Sequence, residues 1–251
     1  MRETDFVGGF AKGLKIIEAF GETVQRLTIA EAAKLTGLDR ATARRCLLTL
    51  ADLGYADYDG KFFSLTPRIL RLGHAYLSTT PLPLLVQPYL DQLAEKVGQS
   101  ASVSVLDGTD ILYVARASHK RIISINLTTG SRLPAYCVSM GRVLLAALPD
   151  PEILSILSRS TLKQNTAHTK TDIGMLMSEL HVVASRGFAV IDQELELGLC
   201  SIAVPVLNSQ GKTIAALNIG APAAQVAADD LQRHYLAALQ ETQKTLMAVL
   251  R

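Results

Sequence analysis

Apolar positions recur at helical spacing through the first fifty residues. Phe10, Leu14 and Ile17 form one stripe, with Lys12, Lys15 and Glu18 between them, so a helix is expected over Phe10–Phe20. Thr28-Ile29-Ala30-Glu31 has the form of a capping box, in which the Thr28 hydroxyl takes the Glu31 amide while Glu31 reaches back. That box starts a short helix ending near Thr36. Gly37 supplies a tight turn. Asp39 is a good N-cap for a third helix, Arg40–Leu53, whose apolar side is Ala43, Leu47, Leu50 and Leu53 and whose stop is Gly54. The period then shortens. Tyr55–Tyr58 and Lys61–Leu65 read as strands joined by Asp59-Gly60, a strong hairpin signal. Thr66-Pro67 opens a fourth helix running to about Ser78.

Small hydroxyl residues and two prolines between Ser78 and Pro83 punctuate the chain and place a domain boundary there. Beyond it the pattern mixes both periods. Helices are expected over Leu84–Val97, with Pro88 weakening its first half, and over Ser139–Leu148, Pro151–Ser158, Asp172–Arg186 and Asp229–Leu250. Strands are expected over Ala101–Leu106, Ile111–Ala115, Ile122–Leu127, Phe188–Ile191, Ile202–Leu207 and Thr213–Ile219. Short links within each strand group favour an antiparallel sheet flanked by helices, an α+β architecture.

Composition narrows the class. With 251 residues, 49% of them hydrophobic and 19% charged, the chain can bury a sizeable core and is not a disordered polymer. The net charge of +2 sits entirely in residues 1–77, which carry 11 Lys/Arg against 9 Asp/Glu, whereas residues 78–251 carry 14 of each. No apolar run approaches the ~18 residues of a membrane span, and Met1–Phe20 lacks signal-peptide order. Cys46, Cys137 and Cys200, odd in number and far apart, fit a reducing compartment, the cytoplasm, better than a disulfide framework. No nucleotide-loop, zinc-protease or serine-hydrolase motif is present, so no catalytic residue, metal ligand or cofactor is assigned.

Helix, glycine turn, helix and hairpin make a winged helix-turn-helix. The Arg40–Leu53 helix would enter a major groove with its N-terminal end leading. Arg40, Arg44 and Arg45 lie off its apolar stripe, and Ala41, Thr42 and Thr49 add small groups beside them. Arginine can fork onto guanine or neutralise phosphate. Lys61 at the hairpin tip is the phosphate contact expected of a wing. The competing reading is a surface helix with ordinary solvated arginines, in a stand-alone sensor whose N-terminal helices contact protein. Leu48 points partly outward, where a thymine methyl is one contact and core packing the stronger expectation. The acidic run Asp192, Glu194 and Glu196 is expected on a solvated edge or in a structural role, and the cysteines with His119, His168 or His181 carry no nucleophile signature.

These residues resemble the IclR family of bacterial transcriptional regulators over nearly the whole chain. The segments that carry the resemblance are GLKIIEAF, LTIAEAAKLTGLDRATARRCLLTLADLGY, FSLTPRILRLGHAYL, GSRLPAYCVSMGRVLLAALP, GFAVIDQELELGLCSIAVPV and IAALNIGAP. GSRLPAY and SMGRVLLAAL look most like the branch regulating aromatic-acid catabolism, the protocatechuate, 4-hydroxybenzoate and β-ketoadipate pathways. The resemblance implies a winged helix-turn-helix over residues 1–66, a linker helix over 67–81 and a GAF-like effector-binding and oligomerisation domain over 82–251. It also implies a homodimer or tetramer, pairing through the N-terminal domains, on a pseudo-palindromic promoter site, working with RNA polymerase. The effector would be an aromatic acid or its ring-cleavage product.

By matching motifs, the implied pocket is lined by Ile122, Ile125, Leu133, Ser139, Met140, Ile191, Leu199, Ser201, Asn218 and Gly220. Arg132 is the first choice to hold the effector carboxylate, ahead of Arg116 and Arg142. The competing role for Arg132 is a structural ion pair. Ile191 and Met140 depart from relatives that bind small 2-oxoacids and make the cavity more apolar, which suits a ring. Cys200 and Ala184 stand where relatives commonly have arginine.

Overall fold

The structure is a computed structural model that describes residues 6–21, 24–79, 82–118 and 127–250, with side chains omitted for 76–79. The expected strand over Ile122–Leu127 therefore lies outside the described residues except for Leu127, which is in irregular chain. The chain divides into two compact units, residues 1–79 and 80–251.

The N-terminal unit holds α1 (Gly8–Glu18), α2 (Ile29–Thr36), α3 (Arg40–Asp52), strands β1 (Ala56–Tyr58) and β2 (Phe63–Leu65), a 3₁₀ turn over Pro67–Ile69 and α4 (Leu70–Thr79). Both partners of the capping box are in place: Thr28 N donates to Glu31 Oε2 at 2.8 Å, and Glu31 N donates to Thr28 Oγ1 at 3.3 Å. Gly37 closes α2 at φ +68°, a conformation cheap only for glycine. Asp39 caps α3 through the Thr42 amide at 2.8 Å. The core of this unit is Ile16, Leu27, Ala32, Ala43, Leu47, Ala56 and Phe63. Of the α1 stripe only Ile17 packs against it. Ile16 is the buried residue of α1, while Phe10 is 68% and Leu14 40% exposed. The hairpin also differs from expectation. Asp59–Phe62 forms a four-residue loop, because Asp59 Oδ1 accepts from both the Lys61 and Phe62 amides and folds the chain into a wider turn.

Hydrogen bonds to ionised carboxylates close the helix caps and the hairpin turn of this unit. The Thr28 bonds depress the Glu31 pKa, the Thr42 amide that of Asp39, and the Phe62 and Lys61 amides that of Asp59. A depressed folded-state pKa contributes stability above the unfolded value and loses it as pH falls through the folded one. Thermal melts between pH 7 and pH 3 should therefore show stability held to about pH 4.5 and then falling. A rise in melting temperature on acidification would contradict these bonds.

The C-terminal unit is built on a six-stranded, fully antiparallel sheet in the order β5-β4-β3-β8-β7-β6. The strands are β3 (Ser100–Asp107), β4 (Asp110–Ala117), β5 (Arg132–Pro134), β6 (Ala189–Asp192), β7 (Leu199–Leu207) and β8 (Thr213–Pro222). One face packs on α5 (Leu82–Val97) and α9 (Ala228–Val249) through Val86, Leu90, Val103, Val204, Leu217 and Leu239. The other packs on α6 (Ser139–Ala146), supported by α7 (Asp150–Arg159) and α8 (Ile173–Arg186). Helix α5 runs through Pro88. The carbonyl that this proline leaves without a helical donor belongs to Leu84, on a solvent-facing position where water can serve it. β5 is an edge strand that sequence reading missed, being three residues long and ended by proline.

Alternation on β3 sorts its two faces. Ala101 and Val103 enter the α5/α9 core, and Ser100, Ser102 and Ser104 point the other way, toward α6. A Cβ on Gly141 of α6 would stand 2.1 Å from the Ala135 carbonyl oxygen, so glycine is what lets the start of α6 lie against that turn and over the sheet.

Candidate DNA-binding and effector sites

In α3 the core takes Ala43, Leu47 and Leu50 and leaves Ala41, Arg44 and Arg45 on the opposite, exposed face, with Arg40 at its leading edge. Among the described residues none of these arginines has a carboxylate partner. Arg40 sits in the first turn, next to the Asp39 carboxylate that caps the helix. Arg40, Arg44 and Arg45 together present a cationic face that favours an anion such as phosphate. Two expected contacts are placed differently. Thr42 is buried and its hydroxyl accepts from Arg45 Nη2 at 3.2 Å, so it braces Arg45 instead of facing a groove. Thr49 is exposed, but its hydroxyl donates to the Arg45 carbonyl at 2.8 Å.

On the wing, Lys61 Nζ stands 5.0 Å from the centroid of Phe62, and the Arg26 guanidinium lies 4.6 Å from the same ring while pairing with Asp59. Arg26 was not foreseen as part of the wing, because it lies 33 residues before Asp59. The same unit bears an open apolar groove of about 1290 Å³ between α1, α3 and α4, lined by Phe10, Leu14, Ile17, Leu50, Leu53 and Leu72.

The second site is a cavity of about 580 Å³ between the sheet and the start of α6. Cross-strand register builds its floor in two rungs. One runs Arg116–Ser102–Asn218, the other Ser100–Gly220–Ser201–Ile191. Tyr113, Leu127, Leu133, Cys137, Val138, Ser139, Leu195 and Leu199 complete the lining. The free space within it is tight, with room for about three waters.

Arg116 reaches this cavity through a β-bulge. Ser104 pairs with Tyr113 but Val103 with Ala115, so Val114 is extra, and Tyr113 and Arg116, three apart, face the same side. Arg116 Nη1 donates to Ser102 Oγ at 2.9 Å. Its Nε is buried without a partner, as are Ser139 Oγ and Asn218 Oδ1. Burial lowers the pKa of Arg116, which remains a cation at neutral pH, and pushes the Tyr113 hydroxyl up to about 12.

Of the expected lining, Leu133, Ser139, Ile191, Leu199, Ser201, Asn218 and Gly220 meet here. Ile122 and Ile125 lie outside the described residues. Met140 does not face the cavity: it is buried in the core, where its sulfur accepts from Ser104 Oγ at 3.2 Å. Arg132 corrects the expected anchor. It is half exposed and pairs with Asp107 and Asp110 across the β3–β4 hairpin, because β5 adds at the outer edge of β4 and its arginine lands beside that turn. The acidic run divides between the two expected roles. Asp192 ends β6 in the open, while Glu194 is buried on Arg142. Cys137 and Cys200 are buried thiols pushed up to about 12, chiefly by burial. Among the described residues no three His, Cys, Asp or Glu side chains are grouped to hold a metal, and no helix is long and apolar enough to cross a membrane.

A winged helix-turn-helix with free arginines, followed by a unit holding a small polar-floored cavity, defines a transcription regulator of the DNA-binding, ligand-sensing kind. Two family models match, the IclR helix-turn-helix domain over residues 10–60 and the bacterial transcriptional regulator IclR C-terminal domain over residues 74–247. The chain belongs to the IclR family of bacterial transcriptional regulators. It is 45% identical to the Pca regulon regulatory protein of Pseudomonas putida, over 97% of this chain and 84% of that one. A transcriptional regulator from Rhodococcus sp. RHA1 superposes with a TM-score of 0.82 at 45% identity, over 98% of both chains. An IclR homologue from Microbacterium hydrocarbonoxydans, solved in complex with 4-hydroxybenzoate, superposes with a TM-score of 0.78 at 25% identity, over 97% of this chain and 99% of that one.

Proposed function

We propose that this chain is a cytoplasmic, effector-controlled regulator of an aromatic-acid catabolic operon, and that its response is carried by binding, not catalysis. The observation that carries the effector reading is the convergence of Arg116 Nε, Ser139 Oγ and Asn218 Oδ1, three buried polar atoms without partners, on one cavity. Buried polar groups are nearly always bonded, so a ligand is what completes them. Arg116 and Ser139 can donate to a carboxylate. Asn218 Oδ1 accepts and calls for a hydroxyl. Leu127, Leu133, Ile191, Leu195 and Leu199 supply apolar walls for a ring. A hydroxylated aromatic acid meets all three demands, and the 4-hydroxybenzoate complex of the Microbacterium homologue and the Pca regulon assignment of the Pseudomonas relative support it.

On DNA, α3 lies in the major groove with Arg40, Ala41, Arg44 and Arg45 toward bases and phosphates, and Lys61 reaches phosphate from the wing. Two copies pair across the exposed apolar groove of α1, α3 and α4, as dimer or tetramer, and so present two recognition helices to a pseudo-palindromic promoter site. RNA polymerase is then the partner through which the regulator acts. Effector binding shifts DNA affinity only as far as the effector prefers one arrangement of the units to another.

A thermal-shift screen tests the effector reading. At about 100 times its dissociation constant, a ligand stabilises the native state by about 2.7 kcal/mol. 4-Hydroxybenzoate or protocatechuate should raise the melting temperature, and benzoate, β-ketoadipate and pyruvate should do so less. A larger shift with pyruvate than with any hydroxybenzoate would overturn it.

A further inference from the structure

Two stretches of chain wall the cavity from opposite sides. One is Cys137–Ser139, leading into α6. The other is Ile191, Leu195 and Leu199, around the 193–198 loop. One side chain spans them. Arg142, one turn into α6 from Ser139, is fully buried and donates from Nη2 to both Glu194 carboxylate oxygens at 2.9 and 3.2 Å. Its Nη1 pairs with Glu179 Oε1 at 2.9 Å, and its Nε donates to the Tyr136 carbonyl. Behind Glu194 stand the Lys170 amide, bonded to its carboxylate at 3.1 Å, and the Thr169 hydroxyl, bonded to its carbonyl. Lys170 also pairs with Glu179.

The loop is one that needs holding. Gln193 lies at φ +55°, the only positive φ at a non-glycine among the described residues, where a side chain is strained. Its carbonyl takes the Thr166 hydroxyl at 2.7 Å. The cavity beside this arrangement has room for only about three waters.

We propose that Arg142 is a positioning residue: by fixing the 193–198 loop against α6 it sets the width of the cavity, and so the size of acid it accepts. This rests on the effector reading above. Opening the loop is a cost that a bulky ligand meets and a small one does not. Weakening the tie therefore favours the bulky ligand selectively, by the reduction in that cost.

The experiment uses the full chain with Glu194→Gln, which keeps the shape and removes the charge, and the double variant Arg142→Met/Glu194→Met, which leaves Glu179 with Lys170 and removes both buried charges together. Replacing a buried pair by apolar groups of similar volume generally preserves folding, so the double variant carries the test if the single one fails to fold. The first readout needs no ligand. Hydrogen exchange at the Gln193, Gly198 and Leu199 amides, all bonded within the loop or to its ends, should quicken by about tenfold or more while β3 and β8 amides hold. The second is the ratio of dissociation constants for glycolate, which also has one carboxylate and one hydroxyl, and 4-hydroxybenzoate. It should move about tenfold toward 4-hydroxybenzoate.

Unchanged loop exchange in a folded variant overturns the proposal. So does faster exchange with an unchanged ratio in proteins that bind both acids. Faster exchange in proteins that bind neither acid, the unmutated one included, supports the positioning role and overturns the effector reading instead.

Discussion

Arg44→Ala is expected to weaken operator binding by about 1–3 kcal/mol at each half-site, roughly 2–6 kcal/mol for a two-fold complex. Arg44 stands on the exposed face of α3, with no carboxylate partner among the described residues, and no bond within the fold depends on it. Alanine there is also a better helix former than most residues, so the folded unit is retained. The measurement is a titration of a fluorescent promoter fragment at fixed salt, with binding of 4-hydroxybenzoate measured alongside. Loss of DNA binding with unchanged ligand binding is the expected pattern. Unimpaired DNA binding would show that the arginine face is ordinary solvated surface. Arg45→Ala is the informative companion. That side chain also bonds Thr42, so part of its effect falls on the geometry of the helix.

The second large effect is expected at Arg116. Arg116→Gln should weaken 4-hydroxybenzoate binding by about 1.5–3 kcal/mol, the usual contribution of a hydrogen bond to a charged group. The uncharged analogue 4-hydroxybenzyl alcohol should lose much less, since it brings no carboxylate to the guanidinium. Affinity for promoter DNA without effector should not change. Equal losses for acid and alcohol would mean that the substitution damages the cavity instead of removing an anchor. Arg132→Gln, by contrast, should cost little in ligand affinity, because Arg132 is committed to Asp107 and Asp110 at the far edge of the sheet.

The contrast between these two arginines shows what a sequence can and cannot reveal. Thr28, Glu31, Gly37 and Asp39 act over three or four residues, and their roles follow from local chemistry; all four are where the pattern placed them. Ser139, Asn218 and Gly220 were placed by motif and do meet in the cavity. Arg116 stands behind Arg132 in the sequence reading, and strict alternation would send it to the face opposite Tyr113. The bulge at Val114 reverses that, and nothing in the string DILYVARA marks where the extra residue falls. Arg132 was ranked high because it lies in a cavity-adjacent motif, but the three-residue strand that carries it was invisible. The α1 stripe was legible as apolar and helical. That Phe10 and Leu14 stay exposed is not legible, because periodicity does not say which surface a stripe meets. Glu194 belongs to a run expected on a solvated edge or in a structural role, and it takes the structural role. Its burial is set by Arg142, 52 residues away. The serine alternation of β3 was a usable signal for a polar floor and passed unread.

The tightness of the cavity has a consequence in time. A site with room for about three waters cannot be entered by a ring in a single diffusive step. The wall has to give way first, so the speed of entry is a property of the protein and falls below the usual 10⁵–10⁷ per molar per second of unhindered docking. At high effector concentration the observed rate should stop rising and settle at the frequency with which the wall opens. The same wall closes behind the ligand and delays its escape.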